Sequence, residues 1–350
     1  MRLATFHVAG PTGPVTRLGL LAGDLGSADT LVDLNAAYAH LITDRMSLER
    51  VEPMADVVVP PDMVAFLGNG RVRTHVLDEI RSAQGELVAA ERNALGQRLA
   101  YRLDEVQLLA PLPRPSSLRD CSAFEEHVRN CSGPRGVPDQ WYRHPSYYKG
   151  NPFSVVGTGV PVLRPAGETR MDYELEFAVV IGSPGRNIAM ADADQHIAGY
   201  TVFNDVSCRD IQLAEMKTFL GPAKGKDFDG GNVLGPYLVT PEDFDPAAAN
   251  AMIARVDGVE WSRGSTDTSH YSVAEIISYV SRDETLRAGD VIGVGTVGGG
   301  CGLELGRFPE MGQTVELEVA GLGVLRNRFV DTEQPSGREA MWADSMAKSP

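Results

Sequence analysis

The segment Met171–Gly182, MDYELEFAVVIG, limits the fold of this chain more than any other. Its first half alternates polar and apolar residues. On a strand this puts Asp172, Glu174 and Glu176 on one face and Tyr173, Leu175 and Phe177 on the other. Its second half, FAVVIG, has no alternation, the pattern of a strand buried on both faces. Two readings fit the acidic half: an edge strand with a solvated face, or carboxylates drawn into the interior. Neighbouring carboxylates about 7 Å apart repel by about 2–2.5 kcal/mol at an effective dielectric of about 20. Burial raises that cost until one binds a proton or a cation sits between them, and a divalent metal is the simplest such cation.

The rest of the chain is read around that strand. Residues 1–112 are expected to form a small, mostly β domain, with helical spacing over Leu31–Leu41 and from Val72 to about Leu95. Pro111, Pro113 and Pro115 forbid a helix and mark an extended crossover. A second domain is expected over 113–335, with short helices at Met190–Ala198 and Ser272–Arg282, and a polar tail over 336–350. Residues 129–152 are rich in Pro, Gly and aromatics and lack periodicity, as functional lids do. Strands outnumber helices and the connections are turn-rich, so the expected class is mixed α+β.

Composition excludes several functions. The 350 residues carry 32 basic and 47 acidic side chains, a net charge of −15, and the pI is about 4.9. Neither nucleic acid nor an anionic membrane is expected as a partner of so acidic a chain. No apolar run approaches the roughly 20 residues of a membrane helix, and no signal peptide is evident. Cys121, Cys131, Cys208 and Cys301 lack CxxC spacing and read as free thiols in a reducing cytoplasm.

Four further segments hold candidate chemistry. In FNDVSCRDIQ, Asp205 follows an apolar strand, and Arg209 and Gln212 would share a face if a helix starts at Ser207. They could grip a carboxylate, or Asp205 could be an N-cap and Arg209 a surface ion pair. Lys226 in KGKDF is a solvated loop lysine or a functional one. Asp120 and His127 lie seven apart, from a strand end to about two helical turns later. In GVGTVGGGCGLEL the literal GxGxxG (Gly293, Gly295, Gly298) is followed by another short strand, not a helix, so a dinucleotide site is rejected. Its glycines would let the backbone approach a ligand. Glu304, between Leu303 and Leu305, is either a desolvated acid or a strand residue facing water.

Together these segments resemble the fumarylacetoacetate hydrolase superfamily over roughly Ala110 to Val330. The resemblance rests on an ordered set: Asp–x6–His, ExE, NDxSxRDxQ, GKxF, then GT followed by LEL. It implies a mixed β-roll catalytic domain behind a smaller β-rich N-terminal domain. It implies metal ligands Asp120, Glu174, Glu176 and Asp205, a catalytic His127–Glu304 pair, and Lys226 stabilising developing charge. Arg209, Gln212, Thr296 and, in the lid, Tyr148 would contact substrate. Two departures stand out. The fumarylacetoacetate hydrolases proper have a longer stretch between GT and LEL, and the acylpyruvase-like members place their acid three residues after the His, where this chain has Asn130.

The expected activity is hydrolytic C–C cleavage of a 2,4-dioxo acid at a site holding Mg²⁺, with Mn²⁺ or Ca²⁺ as alternatives, since all four ligands are oxygen donors. The runner-up is an isomerase, decarboxylase or dehydratase of a 2-oxo acid at the same site. A non-catalytic binding protein is the third reading. The resemblance also implies a homodimer.

Overall fold

The computed structural model describes residues 1–23 and 29–332. The tail expected over 336–350 lies outside the described residues. The main element is a large sheet. Its strands run in the order Ala100–Arg102, Thr30–Asp33, Gly13–Ala22, Arg2–Gly10, Asn232–Val239, Ile197–Asp205, Leu175–Ile181, Asp290–Gly293, Ser117–Cys121, Tyr147–Gly150. The acidic–apolar strand is therefore central, paired antiparallel to Ile197–Asp205 on one side and to Asp290–Gly293 on the other. The sheet also crosses the Pro-rich crossover, because Arg2–Gly10 pairs with Asn232–Val239.

Both faces of that central strand are covered. Phe177, Val179 and Ile181 pack into one core with Met252, Leu317 and Phe329 of a second, five-stranded sheet. Ala178 and Val180 pack into another core with Ala36, Phe66, Val76 and Ile80 from helices of the N-terminal segment. The result is three layers: helices, large sheet, smaller sheet. Each large apolar side chain fully buried this way contributes about 1.5–3 kcal/mol, which makes the central strand a rigid mount for what it carries.

Four expectations need correction. The N-terminal segment is less strand-rich than its sequence suggests, since VVVPPDMVAFLG falls in helices Leu48–Val58 and Met63–Gly68 rather than a strand. Asp62 starts the second of these by accepting a hydrogen bond from Ala65 N at 2.7 Å. The long helical stretch after Val72 is broken into Arg71–Ser82 and Gln84–Ala90. The Glu304 segment is one helical turn, Gly302–Leu305, not a strand. Finally, the expected lid is largely ordered: helix Glu125–Ser132 runs into it, Trp141 is buried with its Nε1 on Ser122 O, and strand Tyr147–Gly150 ends it. The insertions at 190–198 and 272–282 occur as the 3₁₀ turn Met190–His196 and helix Val273–Val280. Ser272 and Glu275 close a capping box on the latter.

Candidate active site

Three strands of the large sheet aim carboxylates at one point. Asp120 sits on Ser117–Cys121, Glu176 on the central strand, and Asp205 at the end of Ile197–Asp205. One oxygen from each lies within 4.8 Å of the others, and all three residues are buried. Asp290–Gly293, a fourth strand of that sheet, makes room. A Cβ on Gly293 would stand 2.3 Å from Asp120 Oδ1, so this glycine clears space for a protein carboxylate rather than a ligand. Gly298 does the same for Glu126.

The expected fourth ligand, Glu174, is placed differently. Its Oε2 takes a hydrogen bond from Lys226 Nζ at 2.6 Å and its Oε1 lies 2.8 Å from Arg209 Nη2. The Lys226 ammonium bridges Glu174 to Asp205, at 2.5 Å from Asp205 Oδ2. Glu174 is therefore held far below the usual carboxylate range: Lys226 and Arg209 outweigh a burial that acts the other way. Lys226 is buried, not solvated, and Gly225 lets its loop close on Gln212, whose N would be 2.8 Å from any Cβ there.

Arg209 and Gln212 do share a face, yet Arg209 grips the protein's own groups. Its Nε and Nη2 donate to Asp172 Oδ2 at 2.8 and 2.7 Å, and its Nη1 to Gln212 Oε1 at 2.9 Å. Thr296 Oγ1 donates to Glu176 Oε1 at 2.9 Å, with Gly295 N on Oε2 at 3.1 Å. Tyr148, directly opposite Asp120 in strand register, donates to Asp205 Oδ2 at 2.8 Å. These three side chains thus orient carboxylates in this structure.

The electrostatics call for a cation. Asp120, Asp172, Glu174, Glu176 and Asp205 are five buried carboxylates against two buried cations, Lys226 and Arg209, which leaves three negative charges unmatched if all ionise. Burial and mutual repulsion push Asp120 and Glu176 well above the carboxylate range, and burial lifts Asp205 to about 6 despite Lys226. Asp120 Oδ1 and Asp205 Oδ1 are buried with no hydrogen-bond partner. Orphaned oxygens in an all-oxygen donor set fit a hard divalent ion.

Beside the cluster stands an acid–base pair. His127 Nδ1 meets Glu304 Oε1 at 2.7 Å. Glu304 Oε2 accepts from Asn130 Nδ2 at 2.7 Å and from Gly299 N at 2.8 Å. Asn130, which occupies the position of the acylpyruvase acid, here supports the acid supplied by Glu304. Burial opposes charge on His127, but hydrogen bonds with Cys301 and Glu304 outweigh it and raise its pKa to about 10. One functional carboxylate escaped sequence reading: Asp172 takes the N–H groups of Gly302 and Leu303 at 2.7 and 2.9 Å, and so ties Arg209 to the turn carrying Glu304. Its place in the same alternation as Glu174 and Glu176 was the available signal.

The family model described as Fumarylacetoacetate (FAA) hydrolase C-terminal matches residues 117–330. The chain belongs to the fumarylacetoacetate hydrolase family. Similarity extends beyond that region. The mitochondrial oxaloacetate tautomerase FAHD2A of Bos taurus is 32% identical over 337 residues, 94% of this chain and 92% of the relative. Oxaloacetate tautomerase YisK of Bacillus subtilis (strain 168) is 33% identical over 233 residues, 65% of this chain and 75% of the relative. Among solved structures, the fumarylacetoacetate hydrolase of Exiguobacterium antarcticum matches with a TM-score of 0.67 at 25% identity, covering 94% of this chain and all of that one. A 5-carboxymethyl-2-hydroxymuconate delta-isomerase from Mycobacterium smegmatis matches with a TM-score of 0.65 at 25% identity, over 95% of this chain and 100% of that one. The family shares the β-roll fold and is one of enzymes. Its relatives here are named tautomerases and isomerases as well as a hydrolase, so the weight shifts from the expected C–C cleavage to the isomerase alternative. No helix among the described residues is long and apolar enough to cross a membrane.

Proposed function

We propose that this protein is a divalent-cation-dependent tautomerase of a 2-oxo acid, with oxaloacetate as its substrate and Mg²⁺ as its ion. The observation that carries the reading is near full-length similarity to an oxaloacetate tautomerase, on a chain that retains a proton-transfer pair beside a cation-binding cluster. Asp120, Glu176 and Asp205 would hold the ion, which supplies Lewis acidity and a template for the substrate's carboxylate and oxo group.

The chain's own residues account for the proton movements. Glu304 fixes His127 through Nδ1, leaving Nε2 as the nitrogen free of that bond. The neutral fraction of His127, small near neutral pH because Glu304 and Cys301 raise its pKa, takes a proton from C3 of the keto form, and Glu304 stabilises the imidazolium that results. The imidazolium then gives its proton to the C2 oxygen, and the reverse sequence turns enol into ketone. One proton leaves carbon and one reaches oxygen, with no water consumed and no C–C bond broken. Lys226 lends positive charge to the site while that oxygen is negative. Tyr148 and Thr296 keep Asp205 and Glu176 aimed. A homodimer is the assembly we propose, on the family resemblance.

The same dyad could draw its proton from water, which keeps hydrolysis as the second reading. Paired assays separate them. Purified protein with Mg²⁺ should accelerate the decay of enol absorbance in fresh oxaloacetate solutions. It should release no ¹⁸O-labelled carboxylate from an acylpyruvate in labelled water. Labelled cleavage product without any effect on the enol would instead establish the hydrolase.

A further inference from the structure

The acid–base pair is accompanied by two thiols for which proton transfer has no use. His127 and Cys131 stand one turn apart on helix Glu125–Ser132, and Cys301 and Glu304 three residues apart around the turn Gly302–Leu305. Ligand atoms of His127, Cys301 and Glu304 all lie within 4.8 Å of one another. Cys301 Sγ is 3.4 Å from Glu304 Oε1, and Cys131, not itself in that set, has its Sγ 3.9 Å from His127 Nδ1, the nitrogen that faces Glu304. In a tetrahedral zinc site, bonds of about 2.0–2.1 Å to N or O and about 2.3 Å to S place the ligand atoms about 3.3–3.8 Å apart. The Cys301 contact falls in that range, and the Cys131 contact lies just beyond it, within reach of a small side-chain rotation. The 2.7 Å contact between His127 and Glu304 is shorter because a proton holds it. An ion replacing that proton would spread the two groups.

We propose that His127, Cys131, Cys301 and Glu304 form a second metal site, for a thiophilic divalent ion such as Zn²⁺, separate from the carboxylate site. Sulfur and imidazole select against Mg²⁺ and Ca²⁺, so the two sites discriminate by ligand softness. Cys131 is exposed while Cys301 is buried, giving the ion a way in from the surface. Binding releases the thiol protons and the proton shared by the dyad, and so strengthens as pH rises. With His127 and Glu304 bound to metal, no base remains to move the substrate's proton, and the site acts as a zinc-operated brake. The inference goes beyond the tautomerase reading, and the existence of the site does not depend on it.

The test is spectroscopic. Reduced, EDTA-stripped full-length protein is given excess Mg²⁺ to fill the carboxylate site and then titrated with Co²⁺. A thiolate-to-cobalt charge-transfer band should grow to one equivalent and vanish on adding one equivalent of Zn²⁺. C301S should remove the band and D120N should leave it. C131S, at an exposed position that tolerates change, should weaken it because the band scales with the number of thiolates. No band in the wild-type protein, or a band unchanged in C131S and C301S, would overturn the four-ligand site. Loss of the band in D120N would place the ion in the carboxylate cluster instead.

Discussion

A methyl group on Gly293 would stand 2.3 Å from Asp120 Oδ1, so Gly293→Ala must displace a carboxylate from the cluster. We expect this single methyl to weaken Mg²⁺ or Mn²⁺ binding about tenfold or more, as measured by calorimetry, with little change in far-ultraviolet circular dichroism. Lys226→Met addresses the opposite charge. Among the described residues this ammonium is the only cation touching both Glu174 and Asp205, and its loss leaves Asp205 without a cationic partner. Urea unfolding in EDTA should show a loss of about 3–5 kcal/mol, part of which added Mg²⁺ restores. An unchanged midpoint would mean that the cluster is already protonated and never needed the lysine.

The turn Gly302–Leu305 is held from far away in the chain. Its first two N–H groups are taken by Asp172, 130 and 131 residues earlier, which also anchors Arg209. Asp172→Ala should therefore lower kcat about 10–100-fold, through misplacement of Glu304, while KM for the metal stays near wild type. Equal losses in both would argue that Asp172 supports the whole cluster rather than the turn. The same contact explains why this element was illegible in the sequence. LEL flanked by glycines reads as a strand, and no local window reveals a cap supplied by a distant strand. By contrast, FAVVIG was readable because burial on both faces erases alternation within the segment itself. The helix Met63–Gly68 was missed because the valines and prolines before it mimic a strand end, while its start depends on one Asp62 hydrogen bond. Spacing alone left each candidate with a bland alternative, and it was the resemblance carried by the ordered motifs that implied a common site. The roles within it were not legible, since Glu174, Arg209 and Thr296 turn toward protein partners that only the assembled sheets bring near.

Across the protein, the cluster couples metal, pH and stability. Asp205 is raised to about 6 from an ordinary value of 3.8, so the folded state holds its proton more tightly than the unfolded chain does. The stability this gives the metal-free protein is complete below about pH 4 and is lost as pH rises through about 6. A divalent ion replaces those protons, so its stabilising increment should be larger at pH 8 than at pH 5. At a concentration of 100 times Kd the increment is about 2.7 kcal/mol, visible as a shift in Tm by scanning calorimetry. An increment independent of pH would exclude the carboxylates as ligands. The most direct measurement is proton exchange at C3 of oxaloacetate in D₂O, followed by ¹H NMR against buffer with the same ions. Exchange should be fast with enzyme and Mg²⁺, fall to background in EDTA or with His127→Ala, and leave the carbon skeleton whole. Exchange that is equally fast in EDTA, or a skeleton cut by the enzyme, would contradict the account.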